Sequence, residues 1–261
     1  MDGNERFRLI WPILFWIMLF LVGITVWTAW LLRPAVNGGY PHTQMKCRNN
    51  LQCIALALIN YQVEHETLPP AFISDEQGRP MHSWRVLLLP YFARARENFP
   101  SVTEKARMEE LYHRYRFDEP WDGPNNRKLA DEIPEVYRCP GVKNEKRFAS
   151  YLAVIGDETA WPGKVPRREE EMKDGLTKTI LLVESANSQI EWTKPEDLHF
   201  DDVIKTFGQT NQLISSEHHY AQVLFADGHV GEIDGTSESP NLKQLKAALT
   251  VDGGENEKWT Y

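Results

Sequence analysis

Gln222-Val-Leu-Phe-Ala-Asp227-Gly228-His229-Val-Gly-Glu-Ile233 places two apolar runs on either side of an Asp-Gly pair. Asp-Gly readily adopts the positive φ that a tight hairpin demands, so the stretch predicts two antiparallel strands with Asp227 and Gly228 as their turn. Upstream, segments 151–155, 179–184 and 190–193 are short, rich in β-branched and aromatic residues and bounded by turn formers, and read as further strands. The second half of the chain therefore reads as an antiparallel sheet.

The first half has the helical period. Cys47, Leu51, Ile54, Leu58 and Tyr61 recur at steps of four and three and form one apolar stripe. They predict a helix over 43–66, ended by Leu68-Pro69-Pro70. Met108, Leu111, Tyr112 and Tyr115 predict a second helix near 102–115, and a last one is expected over 241–249. The run at 82–92, closed by Pro90, has no decisive period and fits strand or buried helix. Helix first and antiparallel sheet after it make the class α+β.

Residues 9–32 read LIWPILFWIMLFLVGITVWTAWLL, 24 positions without a charge. At ~1.5 Å per residue this is roughly 36 Å of helix against a hydrocarbon core of ~30 Å. Trp11, Trp27 and Trp30 lie near its ends, where indole rings favour the membrane interface. A cleavable secretory core is usually ~7–15 residues and ends at a small-x-small site; this run is longer and exits through Trp-Leu-Leu-Arg-Pro. The expectation is an uncleaved signal anchor. The chain then divides into a tail 1–8, a transmembrane anchor 9–32, a linker 33–42, a soluble domain 43–250 and a polar tail 251–261.

The 261 residues carry 29 Lys+Arg against 37 Asp+Glu, a net charge of −8. An acidic chain without a basic stripe is no nucleic-acid binder. With 42% hydrophobic residues and nine Trp it is not disordered either. No Gly-x-Ser-x-Gly, phosphate loop, dinucleotide fingerprint, Cys-x-x-Cys or His-Glu-x-x-His is present. The expectation is no enzyme, no catalytic residues, no cofactor and no metal.

Two clusters carry possible chemistry. Asp118, Glu119, Asp122, Asn125 and Asn126 crowd one loop around Trp121. Its oxygens could hold a hard cation, though at no standard calcium-loop spacing; its Trp could stack a sugar ring; or it is a rigid loop held by its own Asx turns with Trp121 as its plug. His218, His219, Asp227 and His229 suggest imidazole–carboxylate metal chemistry. If Asp227-Gly228 is the turn, however, His219 lies roughly 26 Å up its strand at ~3.3 Å per residue. That separates the group, and the role of the three histidines stays open.

Seven strings occur in order: CRNNLQCIALALINY at 47–61, MHSWRVLLLPYF at 81–92, YRFDEPWDGPNN at 115–126, VYRCP at 136–140, SYLAVIG at 150–156, DGLTKTILLVE at 174–184 and VLFADGHV at 223–230. Together they resemble the bacterial family called domain of unknown function 1559, whose members look like type IV pilins or pseudopilins. The resemblance implies a pilin-like helix packed on an antiparallel sheet behind a single membrane span. Glu217 holds the position where the family's His precedes Asp-Gly, and His218 follows one residue later.

Among the three cysteines, Cys47 and Cys53 share one helix with a rise of about 9 Å between them, too far for a bridge. The family strings CRNNL and YRCP imply Cys47–Cys139 as the disulfide.

The resemblance also implies a non-enzymatic cell-envelope protein with a structural or assembly role and envelope or secretion-system proteins as partners. It would sit in the cytoplasmic membrane with its N-terminus inside and its soluble domain outside. Two other classes stay open: an extracytoplasmic glycan- or solute-binding module, and a hydrolase with an unrecognised site.

Overall fold

The computed structural model describes residues 15–28, 30, 39–94, 100–143, 146–218, 220–234 and 242–253. The chain divides into two units, Met1–His42 and Thr43–Tyr261. In the first, residues 15–28 form helix α1, with large apolar side chains such as Trp16, Phe20 and Val26 exposed. Among the described residues no helix is long and apolar enough to cross a membrane. Residues 9–14, 29, 31 and 32 of the expected anchor lie outside the described residues.

Helix α2, Gly39–His65, follows. It begins inside the segment read as linker, so residues 39–42 are helical rather than a breaker. The expected stripe is its inner face: Cys47, Leu51 and Ile54 are fully buried, Leu58 nearly so, and Tyr61 packs against the core. The helix ends where Glu66 takes a positive φ of 62°.

The ambiguous 82–92 run is three elements. Strands β1, Phe72–Ser74, and β2, Pro80–Ser83, pair antiparallel as a separate ribbon. Ser83 then caps the short helix α3, Trp84–Leu87, and a 3-10 turn covers Leu89–Arg94. Helix α4, Val102–Arg114, is capped by Ser101, whose hydroxyl accepts the Glu104 N–H, and it buries Met108 and Leu111.

The main sheet has five strands: β3, Tyr151–Ile155; β4, Ile180–Glu184; β5, Leu198–His199; β6, Tyr220–Phe225; and β7, Val230–Asp234. Their order is β5-β3-β4-β6-β7. Three pairs are antiparallel and β3–β5 is parallel, so the sheet is mixed at one edge. Helix α5, Phe200–Thr206, continues from β5, and α6, Leu242–Leu249, closes the described chain.

The β6–β7 hairpin has the expected turn. Gly228 sits at φ 89°, and Asp227 Oδ1 accepts the His229 N–H at 3.0 Å. The strand read at 190–193 is corrected. It contributes only an isolated bridge, Phe148 to Glu191, because its apolar character serves burial of Trp192, whose indole N–H donates to the Leu129 carbonyl at 3.1 Å. Of the expected polar tail 251–261, Val251 is buried and its N–H donates to the Glu158 carbonyl at 2.9 Å, while residues 254–261 lie outside the described residues.

Candidate functional site

Helix α2 packs against the sheet through polar as well as apolar contacts. The Tyr151 hydroxyl donates to the Cys47 carbonyl at 3.3 Å, and Gln222 Nε2 donates to the Gln44 carbonyl at 3.3 Å. Asn50 Nδ2 donates to the Glu135 and Arg138 carbonyls at 3.2 and 2.8 Å. The last pair ties the segment before Cys139 to the helix turn that carries Cys47. Cys47 and Cys139 are consequently disulfide-bonded, with Cα atoms 5.1 Å apart across 92 residues of sequence. Cys53 is the free cysteine, and burial pushes its thiol up to about 12.

Two further side chains converge on this bridge. His218, on the approach to β6, places Nε2 3.4 Å from each sulfur. Gly141 allows that approach, since a Cβ there would stand 3.1 Å from His218 Cε1. Glu184, the last residue of β4, is fully buried. Its Oε2 accepts the Gln222 N–H at 3.0 Å, while Oε1 is buried without a hydrogen-bond partner. Burial, reinforced by the Glu217 charge, lifts the Glu184 carboxyl to about 7 against the opposing Gln222 and Ser216 hydrogen bonds. Burial also lowers the His218 imidazole, which favours the neutral ring. The donor atoms of Cys47, Cys139, Glu184 and His218 all lie within 4.8 Å of one another.

The separation expected from the hairpin is seen. His229 belongs to the hairpin: its ring stacks on Phe225 at 4.2 Å, and Nδ1 lies 2.5 Å from Asp227 Oδ1. His218 belongs instead to the disulfide, and His219 lies outside the described residues. Glu184 carried one available signal, a lone carboxylate ending the apolar run Ile-Leu-Leu-Val.

The Trp121 loop is held by its own groups. Glu119 accepts the Asn125 and Asn126 N–H groups at 2.8 and 2.7 Å and the Asn125 side-chain amide at 3.0 Å. Buried Asn126 donates to the Arg116, Glu119 and Pro120 carbonyls. Asp118 and Asp122 point to solvent. Arg127 and Lys194 lie over the Trp121 ring at 5.8 and 5.9 Å, within cation–π range.

A cleft of about 660 Å³ opens beside the disulfide, lined by Lys46, Asn49, Asn50, Arg107, Arg138 and Lys146, with Asp131 and Glu135.

Residues 44–162 match the family described as Protein of unknown function (DUF1559), the family that the ordered strings resemble. The match covers most of α2, the ribbon, α4, the Trp121 loop, Cys139 and β3. No curated protein and no solved structure matches the chain.

Proposed function

We propose that this DUF1559 chain is a non-enzymatic, pilin- or pseudopilin-like protein of the cell envelope, anchored by one N-terminal span and acting in assembly or structure. The observation that carries the reading is α2. One face of this 27-residue helix is buried on the sheet and stapled by Cys47–Cys139. Leu56, Ile59 and Val63 form an exposed apolar row at steps of three and four along it. A helix so fixed on one side and apolar on another suits side-by-side assembly. Apolar, exposed α1 supports the anchor. Native disulfide formation suits an oxidising, extracytoplasmic location. Pull-down of the intact membrane protein from its native host tests the reading: envelope or secretion components are expected, and recovery without any of them overturns it.

The cleft supports a second reading, an extracytoplasmic module for a small acidic solute, because four cationic side chains face two acidic ones there. Calorimetric titration with a uronic acid should show binding that Lys46→Glu abolishes. Equal heats for the wild type and the variant would remove this reading.

A further inference from the structure

We propose that the Cys47–Cys139 disulfide caps a latent metal site, and that its reduction frees Cys47, Cys139, His218 and Glu184 to hold one zinc-class divalent cation. Two thiolates, one imidazole and one carboxylate are a donor set suited to zinc. The imidazole already stands at the right distance from both sulfurs, and only the sulfurs need to part. With Zn–S near 2.3 Å and Zn–N near 2.0 Å, a tetrahedral site spaces sulfur and nitrogen about 3.5 Å apart. His218 Nε2 stands 3.4 Å from both sulfurs. The Glu184 carboxylate falls within the same 4.8 Å cluster, and its buried Oε1 has no hydrogen-bond partner.

An unpartnered buried carboxylate oxygen is costly, and a cation at the cluster centre would satisfy it. The supporting shell is also present. The Gln222 backbone N–H fixes Glu184 Oε2, Ser216 Oγ accepts the His218 backbone N–H and so holds the segment that carries the ring, and the Tyr151 hydroxyl holds the Cys47 carbonyl. Such groups orient metal ligands.

The chemistry balances with a dithiol as the reductant. Its two thiols pass two electrons and two protons to the S–S bond, leaving Cys47 and Cys139 as thiols and the dithiol as a disulfide. Cation binding then displaces the two thiol protons to solvent while the sulfurs part to about 3.8 Å, the S–S spacing of a tetrahedral site. In the oxidised state the sulfurs are bonded to each other and the site is closed. The protein would thus exchange a covalent staple between α2 and the segment before β3 for a metal one at the same place.

The test uses the full chain in detergent, oxidised or reduced with a dithiol that is then removed anaerobically, and Co²⁺ as the probe. The reduced chain should bind one Co²⁺ with a thiolate-to-cobalt charge-transfer band and the visible bands of tetrahedral cobalt, and Zn²⁺ should displace it. The oxidised chain should show neither. Glu184→Gln and His218→Ala, once reduced, should each weaken Co²⁺ binding by roughly 10-fold or more. If reduction unfolds the apo chain, recovery of its circular dichroism on adding Zn²⁺ supports the site. A reduced chain without a cobalt–thiolate band, equal uptake by the oxidised chain, or unfolding that Zn²⁺ does not reverse overturns it.

Discussion

Arg85 and Asp197 form an ion pair at 2.5 Å with both side chains fully buried, joining α3 to the turn before β5. Asp197 is saturated: it also accepts the Trp84 indole N–H at 3.0 Å and the Ala153 backbone N–H at 2.7 Å. Arg85 reaches the Tyr151 carbonyl at 3.3 Å, and its own carbonyl accepts the Tyr137 hydroxyl at 2.7 Å. The pair therefore connects α3, β3 and the aromatic core. Removing one partner of such a pair strands the other charge, at a cost of about 3–5 kcal/mol. Arg85→Met should lower the urea midpoint accordingly. Arg85→Met/Asp197→Leu should cost less than the sum of the two single changes, because the stranded charge is gone. Strict additivity in that cycle would show that the pair is not coupled.

The disulfide closes a loop of 92 residues of sequence separation. In the chain-entropy model that contributes about 4–5 kcal/mol. Cys47→Ser should lose most of it in urea unfolding, whereas Cys53→Ser, outside the bridge, should cost much less. Non-reducing peptide mapping should recover a 47–139 linked pair and one alkylatable thiol at Cys53 after unfolding. Three free thiols in fresh protein would contradict the bridge and, with it, the oxidising location.

His82 supplies a pH dependence. It lies between Tyr115, whose hydroxyl is 3.0 Å from Nδ1, and the Phe117 carbonyl, 3.2 Å from Nε2. Burial holds the imidazole below its ordinary value, against the opposing Phe117 hydrogen bond. The folded state thus prefers the neutral ring. Its contribution is complete above about pH 6.5, the unfolded value, and is lost as pH falls through the lower folded value. Glu184, raised to about 7, acts with the opposite sign, gaining stability on acidification from that value towards 4.5. A wild-type profile mixes the two, so the readout is the difference between wild type and His82→Gln. That difference should narrow below pH 6.5, and the His82 ring resonances should titrate below that pH. A ring titrating above it would refute the assignment.

The sequence made α2 and the β6–β7 hairpin legible because each depends on local rules: a stripe at steps of three and four, and an Asp-Gly pair between apolar runs. Strand β5 was invisible for the opposite reason. Two residues, Leu198 and His199, become strand only because Val154 and Ile155 lie alongside. Trp192 misled in the other direction, since a buried indole and a strand residue look alike until the Leu129 carbonyl is found to hold it. In the site, Cys47 and Cys139 followed from the family strings. Glu184 and His218 did not, because only the α2–sheet packing brings them to the sulfurs. The hairpin reading already separated the histidines before β6 from Asp227, and the fold agrees, with His218 ahead of β6 and His229 after it.

Gly228 tests the hairpin itself. At φ 89° it occupies a region that side chains rarely adopt. A Cβ there would meet Ala55 Cβ and Ile59 Cδ1 at 3.8 Å, which is ordinary contact, so substitution meets backbone strain and no clash. Gly228→Ala should therefore cost about 1–3 kcal/mol, the usual strain of a non-glycine residue in that region. Gly228→Asn should cost less, because Asn tolerates left-handed backbone. Asp227→Ala leaves the backbone angle alone and removes the acceptor of the His229 N–H, a loss of roughly 0.5–1.5 kcal/mol. The expected order of urea midpoints is wild type, then Asp227→Ala and Gly228→Asn, then Gly228→Ala. Because Gly228 faces α2, a Gly228→Ala protein that also exchanges the amides of β6 faster would show the turn supporting the strand that leads to His218. Unchanged stability in Gly228→Ala would mean that the loop can adopt a different turn at no cost, and the Asp-Gly reading of the hairpin would fail.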